Sequence, residues 1–162
     1  MTAPAAYRPG AIAEIVRLHA DYYGRDWDFG LAFEAKVARE LAGFLTGFRP
    51  GVDHFAAEWA ADGRMAGTVS LEGPTQADTM GHLRWFIVAA EARGSGLGRR
   101  LLGRALDHAD ALGFDVYLTT FDGLGPARRL YEQAGFVLVA ENGDDRWQGG
   151  VREQRFERRA GA

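Results

Sequence analysis

His82-Leu83-Arg84-Trp85-Phe86-Ile87-Val88-Ala89 runs into Arg93-Gly94-Ser95-Gly96-Leu97-Gly98, and that into Arg99-Arg100-Leu101-Leu102. The first stretch is nearly continuous in large apolar residues, as expected for a strand covered on both faces. From the end of the second stretch onward, Leu97, Leu101, Leu102, Ala105, Leu106, Ala109 and Leu112 recur at helical spacing, and Gly113 is a natural helix terminator. Between them lies a turn of small residues. Such a turn lets backbone N–H groups approach a ligand, and the following helix adds a partial positive charge at its N-terminus. Together they make a site for phosphate or pyrophosphate. A tight turn with no ligand is the plainer alternative. A Walker loop needs Gly-Lys-Ser/Thr, where this chain has Gly98-Arg99-Arg100. A dinucleotide fingerprint needs a third glycine, where the chain has Arg99 or Leu101.

Outward from this core, two helical patterns come first: Ile12, Ile15, Val16, Leu18 and His19, then Phe33, Val37, Leu41, Phe44 and Leu45. Arg49-Pro50-Gly51 stops the second. His54 to Ala60 and Met65 to Leu71 read as strands around Asp62-Gly63, a strong hairpin signal. Downstream of the glycine turn, Phe114 to Phe121 reads as a strand. Pro126 then suits the first turn of a helix that ends at Gly135. Phe136 to Ala140 and Val151 to Glu157 are further strands. With a strand ahead of the first helix, the expected order is β-α-α-β-β-β-α-β-α-β-β. The expectation is an α/β fold with a mixed, mainly antiparallel sheet of about seven strands flanked by helices.

A chain of 162 residues suits one domain, and residues 1–162 are read as such. It has no cysteine, so neither disulfides nor thiolate metal sites arise, and no metal is expected. No apolar run approaches the roughly 20 residues that cross a bilayer. The stretch from Met1 to Pro9 lacks the pattern of a signal peptide. No membrane partner is therefore expected, and a cytoplasmic location is. The net charge of −3 gives no global attraction to nucleic acid.

Arg93-x-x-Gly96-x-Gly98, after a hydrophobic strand and before a Leu-Leu helix, resembles the acetyl-CoA motif of the GNAT superfamily of N-acetyltransferases. Ala127-Arg128-Arg129-Leu130-Tyr131-Glu132-Gln133-Ala134-Gly135-Phe136 resembles the family's A-x-x-L-Y-E-x-x-G-F segment, at the expected distance downstream. The likeness spans about Tyr7 to Phe156. More narrowly, Leu83 to Val88 and the Gln154-x-Phe156-Glu157 ending look like the acetyltransferase half of MarR-type regulator–GNAT fusions. The winged-helix half has no counterpart, so DNA binding is not carried over.

The resemblance implies a site. The pyrophosphate of acetyl-CoA would sit on N–H groups of Arg93, Gly94, Ser95, Gly96, Leu97, Gly98 and Arg99. Its pantetheine arm would run beside Phe86, Ile87 and Val88, in a slot flanked by Val88 and Phe121. Asp122, where many relatives carry asparagine, would hold the cofactor amide or cap the next helix; the cap is favoured. The tyrosine of the L-Y-E segment, Tyr131, would be the general acid toward the departing thiolate. Without the motif it would read as a core tyrosine.

Acetyl transfer needs a neutral amine, and deprotonating a lysine-like amine at neutral pH costs about 4–5 kcal/mol. His82 and Glu72 are the candidate bases, with ordered water as the alternative. N–H groups of the Ile87–Val88 strand are candidate oxyanion donors. His19, Tyr22, Tyr23 and Trp27 either line an acceptor pocket or pack the first two helices together. Trp147-Gln148-Gly149-Gly150 reads as a pocket loop. The expected activity is acetyl transfer from acetyl-CoA to a primary amine of a small molecule or protein. The alternative is a catalytically weak acyl-CoA-binding or regulatory module. A homodimer is left open.

Overall fold

The computed structural model describes residues 3–143 and 152–162. Two helices open the chain, α1 (Ala11–Trp27) and α2 (Leu31–Thr46). The strands β1 (His54–Trp59), β2 (Met65–Glu72) and β3 (Gly81–Val88) follow, then α3 (Leu97–Leu112), β4 (Val116–Phe121) and α4 (Gly125–Gln133). The strands β5 (Val137–Asn142) and β6 (Glu153–Arg158) close it. Spatially the sheet runs β1-β2-β3-β4-β6-β5. Only the β3–β4 pair is parallel; the other four are antiparallel.

The α/β fold with its mixed sheet is as expected, but the described residues hold six strands rather than about seven. No strand precedes α1 among the described residues, where one was expected. Residues 3–10 turn instead, with the Tyr7 N–H bonded to the Pro4 oxygen at 2.9 Å and the Ala11 N–H to the Arg8 oxygen at 3.0 Å. Pro4 and Pro9 have no N–H to give a ladder, which disfavours a strand there.

Each face of the sheet carries its own core. On one, Leu97, Leu101, Leu102, Ala105, Leu106 and Ala109 of α3 pack with Val69, Leu71, Leu83, Leu118 and Phe156. Contact is close: a Cβ on Gly67 of β2 would lie 3.0 Å from Leu101. On the other, Ile15 and Leu18 of α1 and Val37, Leu41 and Phe44 of α2 cover Phe55, Met65, Trp85 and Ile87. The hairpin between β1 and β2 turns at Gly63, whose φ of +84° lies in the left-handed region open to glycine.

The central strand is bulged. Thr68 stands opposite Ile87 and Ser70 opposite Arg84, so Val69 of β2 faces two residues of β3, Trp85 and Phe86. Trp85 has a φ of +46°, rare for a large side chain. The extra residue resets the alternation of side chains. Leu83 and Phe86 pack with the α3 core, whereas Trp85 joins the core under α1 and α2. Arg84 stays on the side of Trp85, its guanidinium 4.2 Å from the indole centroid and bonded to Glu40 of α2. That is how a strand of consecutive large residues satisfies both cores.

Candidate active site

The strands β3 and β4 pair only at Gly81–Val116 and His82–Tyr117, then part. Beyond that point β4 follows β6, paired from Val116 to Phe121, while β3 follows β2 through the bulge. The gap exposes one edge of β3. The Ala89 N–H bonds the Ala66 oxygen at 2.9 Å, so position 89 points toward β2. Alternation then turns Ile87 toward β2 and the backbone groups of Phe86 and Val88 into the gap. In keeping with this, the Val88 oxygen accepts a 3.3 Å hydrogen bond from Nε of Arg93.

A cavity of about 620 Å³ opens along this edge. Phe86, Ile87, Val88, Leu124, Ala127, Leu130 and Tyr131 give it apolar walls, and Arg93, Gly94, Gly96, Leu97, Gly98 and Arg99 close one end. Gly94 and Gly96 both take positive φ, +77° and +78°, and Gly96 caps α3. Among the described residues no protein acceptor takes the N–H of Gly94, Ser95, Gly96, Gly98 or Arg99. Unsatisfied N–H groups at a helix N-terminus, beside two arginines, form an anion cradle. Ser95 braces the loop from behind: its hydroxyl donates to the Ala92 oxygen at 2.7 Å and accepts from the Leu97 N–H at 3.4 Å.

A second cavity of about 160 Å³ lies between the open end of β3, the end of β4 and the helices α1 and α2. Tyr23, Phe86, Thr120 and Tyr131 line both cavities, so the two meet through the parted strands. Tyr131 is 6% exposed, and burial pushes its phenol well above the ordinary tyrosine range. Its hydroxyl has no hydrogen-bond partner among the described residues, and its ring packs on Phe86, Phe136 and Phe156.

The GNAT acetyltransferase family model matches residues 12–136. The chain belongs to the GNAT family. No curated protein sequence matches it. Solved structures share its fold. A GNAT-family acetyltransferase from Desulfovibrio desulfuricans is 24% identical, with 94% of each chain covered and a TM-score of 0.71. A GCN5-related N-acetyltransferase from Kribbella flavida is 18% identical over 95% of each chain, with a TM-score of 0.73. A single-residue variant of spermidine N-acetyltransferase from Vibrio cholerae is 20% identical, covering 96% of this chain and 93% of that one, with a TM-score of 0.68.

In this GNAT domain most residues named for the acyl donor gather at the larger cavity: Phe86, Ile87, Val88, Arg93, Gly94, Gly96, Leu97, Gly98 and Arg99. Three details differ. The side chain of Ser95 faces the loop itself, as above. The N–H of Ile87 belongs to the β2 side, which leaves those of Phe86 and Val88 toward the gap. Asp122 lines neither cavity and does not cap α4, which starts behind Leu124 with no side-chain cap. Gly123 and Leu124 intervene, and the Asp122 carboxylate is taken up by the adjacent Gly123 N–H at 2.9 Å.

Of the two candidate bases, His82 lines the smaller cavity and Glu72 lines neither. His82 stacks on Tyr117 at 4.3 Å; burial, then Arg84, Arg155 and Lys36, push its imidazole down to about 3. Glu72 sits 3.5 Å from the Arg84 guanidinium. The residues at the end of α1 take different places. His19 and Tyr23 line the smaller cavity and Tyr22 and Tyr23 the larger, whereas Trp27 packs on Gly123, where a Cβ would lie 2.6 Å from the indole. Trp147-Gln148-Gly149-Gly150 lies outside the described residues.

Sequence reading missed Lys36, Glu40, Arg84, Thr120 and Glu153, all on the walls of the smaller cavity. One signal was present: Arg84 is a lone charge within an apolar strand, which calls for a buried partner. Among the described residues no group of His, Asp and Glu suited to a metal ion occurs, and no helix is long and apolar enough to cross a membrane.

Proposed function

We propose that this GNAT protein transfers an acetyl group from acetyl-CoA to a primary amine by direct attack in a ternary complex. The observation that carries the reading is Tyr131 in the wall shared by the two cavities, at the point where β3 and β4 part. The larger cavity suits the donor: a cradle of free N–H groups for the pyrophosphate and a strand edge at Phe86 and Val88 for the amides of the pantetheine arm. The smaller cavity suits the acceptor. A thioester laid along β3 brings its sulfur and carbonyl to the junction, where an amine entering from the other side meets them.

At that junction the backbone N–H groups of Phe86 and Val88 are the donors available to the tetrahedral oxyanion. Tyr131 supplies its hydroxyl to the departing thiolate. Its raised pKa keeps it a phenol across the working range, and the same desolvation that raises it raises the basicity of a buried thiolate. The low basicity of His82 and the engagement of Glu72 with Arg84 favour deprotonation of the amine through water. The narrower likeness to MarR-type fusions is one of sequence and adds no DNA-binding role.

The test is a free-thiol assay across a panel of amines, run beside calorimetric titration with acetyl-CoA. Cofactor binding with amine-dependent CoA release supports the reading. Tight binding with no amine-stimulated release replaces it with an acyl-CoA-binding module, and absence of binding removes both.

A further inference from the structure

The smaller cavity also constrains the acceptor, because its charges are unequally answered. Lys36 and Arg84 are its cations among the described residues. Lys36 lies 3.1 Å from Glu40; Arg84 also bonds Glu40 and lies 3.5 Å from Glu72. Both cations thus hold carboxylates of this chain. His82 is neutral at physiological pH, and Arg155, which faces it, is bonded to Glu157 at 2.9 Å. Glu153 is different. It opens β6 opposite Phe121, is half-buried and lines the cavity, and its carboxylate has no hydrogen bond or ion pair among the described residues. The unanswered charge on the wall is therefore a carboxylate. The rest of the lining includes the rings of Tyr23, Phe33, Trp85 and Phe121, which make an apolar wall; the Trp85 face already carries Arg84.

From this, and resting on the transferase reading above, we propose that the acceptor is a compact primary amine without a carboxylate, and that Glu153 determines this specificity. Glu153 draws the acceptor in as its ammonium. The cavity of about 160 Å³ admits only a small body, which the aromatic rings receive. A carboxylate on the acceptor would meet Glu153 as a like charge and would have to strip Arg84 or Lys36 of Glu40. Such a substituent is excluded by the missing counter-charge rather than by size. Glu153 binds and orients; the amine then loses its proton to water before attack.

Matched pairs test this: phenethylamine against phenylalanine and isopentylamine against leucine, with acetyl-CoA saturating and released thiol followed. The amine of each pair should have a kcat/KM on the order of 100-fold above its amino acid. E153Q should raise the KM for the amine about tenfold or more, with calorimetric affinity for acetyl-CoA unchanged. E153D should recover most of the loss, and the melting temperatures of both variants should match wild type. Preference for the amino acids, or a wild-type amine KM in E153Q, overturns the proposal while leaving the transferase reading intact. Acetyl-CoA binding with no amine turned over defeats the transferase reading and this proposal with it.

Discussion

Tyr131 and Phe86 stand together between the two cavities, their ring centroids 6.0 Å apart and tilted by 56°. One comes from α4 and the other from the strand after the bulge, so the junction exists only when both elements are in register. Phe86 owes its place to the extra residue at Trp85, without which it would point into the opposite core. The same pair links the glycine loop, the parted strands and the phenol in one geometry.

If the glycine loop is the anion site proposed above, it rests on backbone that only glycine adopts without strain. Gly96→Glu places a carboxylate at the cradle and a side chain at a φ of +78°. Strain of about 1–2 kcal/mol should lower the melting temperature by a few degrees. Gly96→Asn tolerates this backbone better and adds no charge. The Asn variant should bind acetyl-CoA measurably by calorimetry, while the Glu variant, still folded by circular dichroism, should show none. Equal affinities in the two variants would remove the anion site from the loop.

The imidazole of His82, pushed down to about 3, is unprotonated throughout the range in which amines are acetylated. It is also a poor match for a base working near neutral pH. The logarithm of kcat/KM should therefore rise with pH toward the pKa of the amine itself, and His82→Asn should keep the shape of that profile. A break between pH 6 and 7 that vanishes in His82→Asn would restore the histidine as base.

Acid should weaken the fold through His19. Its ring is buried at 6% exposure, Nδ1 lies 2.8 Å from the Ile15 oxygen, and burial lowers the imidazole from 6.5 to about 4. The unfolded chain takes up a proton below pH 6.5 that the folded chain refuses until about 4. The stabilisation is thus complete above 6.5 and is lost as pH falls toward 4, by at most about 1.4 kcal/mol per pH unit. Half-buried His54 acts in the same direction, lowered by burial, His108 and Arg104. Melting temperatures from pH 7 to 4.5 should fall less steeply in His19→Leu than in wild type. Parallel curves would refute the assignment.

Much of this was legible before any coordinates. Seven apolar positions at helical spacing mark α3, Asp62-Gly63 the hairpin, and Arg93 to Gly98 the turn that leads into α3, because each is a local pattern with a local cause. The expected leading strand does not form, and Pro4 and Pro9, which lack the donors that a ladder needs, already disfavour it. The bulge escaped notice because an unbroken run from Trp85 to Val88 looks alike with or without an extra residue. The smaller cavity was illegible for a different reason. Glu40 comes from α2, Arg84 from β3 and Glu153 from β6, and only the folded sheet brings them to one wall. Asp122 is the opposite case, a plausible cap two residues too early for its helix.

The most direct test of the central claim is Tyr131→Phe, with kcat and melting temperature measured on the same preparation and amine and acetyl-CoA both saturating. The substitution removes the hydroxyl at the junction of the cavities and little else. Loss of a general acid is worth about 10²–10⁴-fold in rate. A fall in kcat of that size, with acetyl-CoA affinity retained and the melting temperature within about 2 °C of wild type, is the expected result. An unchanged rate of the chemical step in single-turnover experiments would contradict it and leave Tyr131 as a core residue.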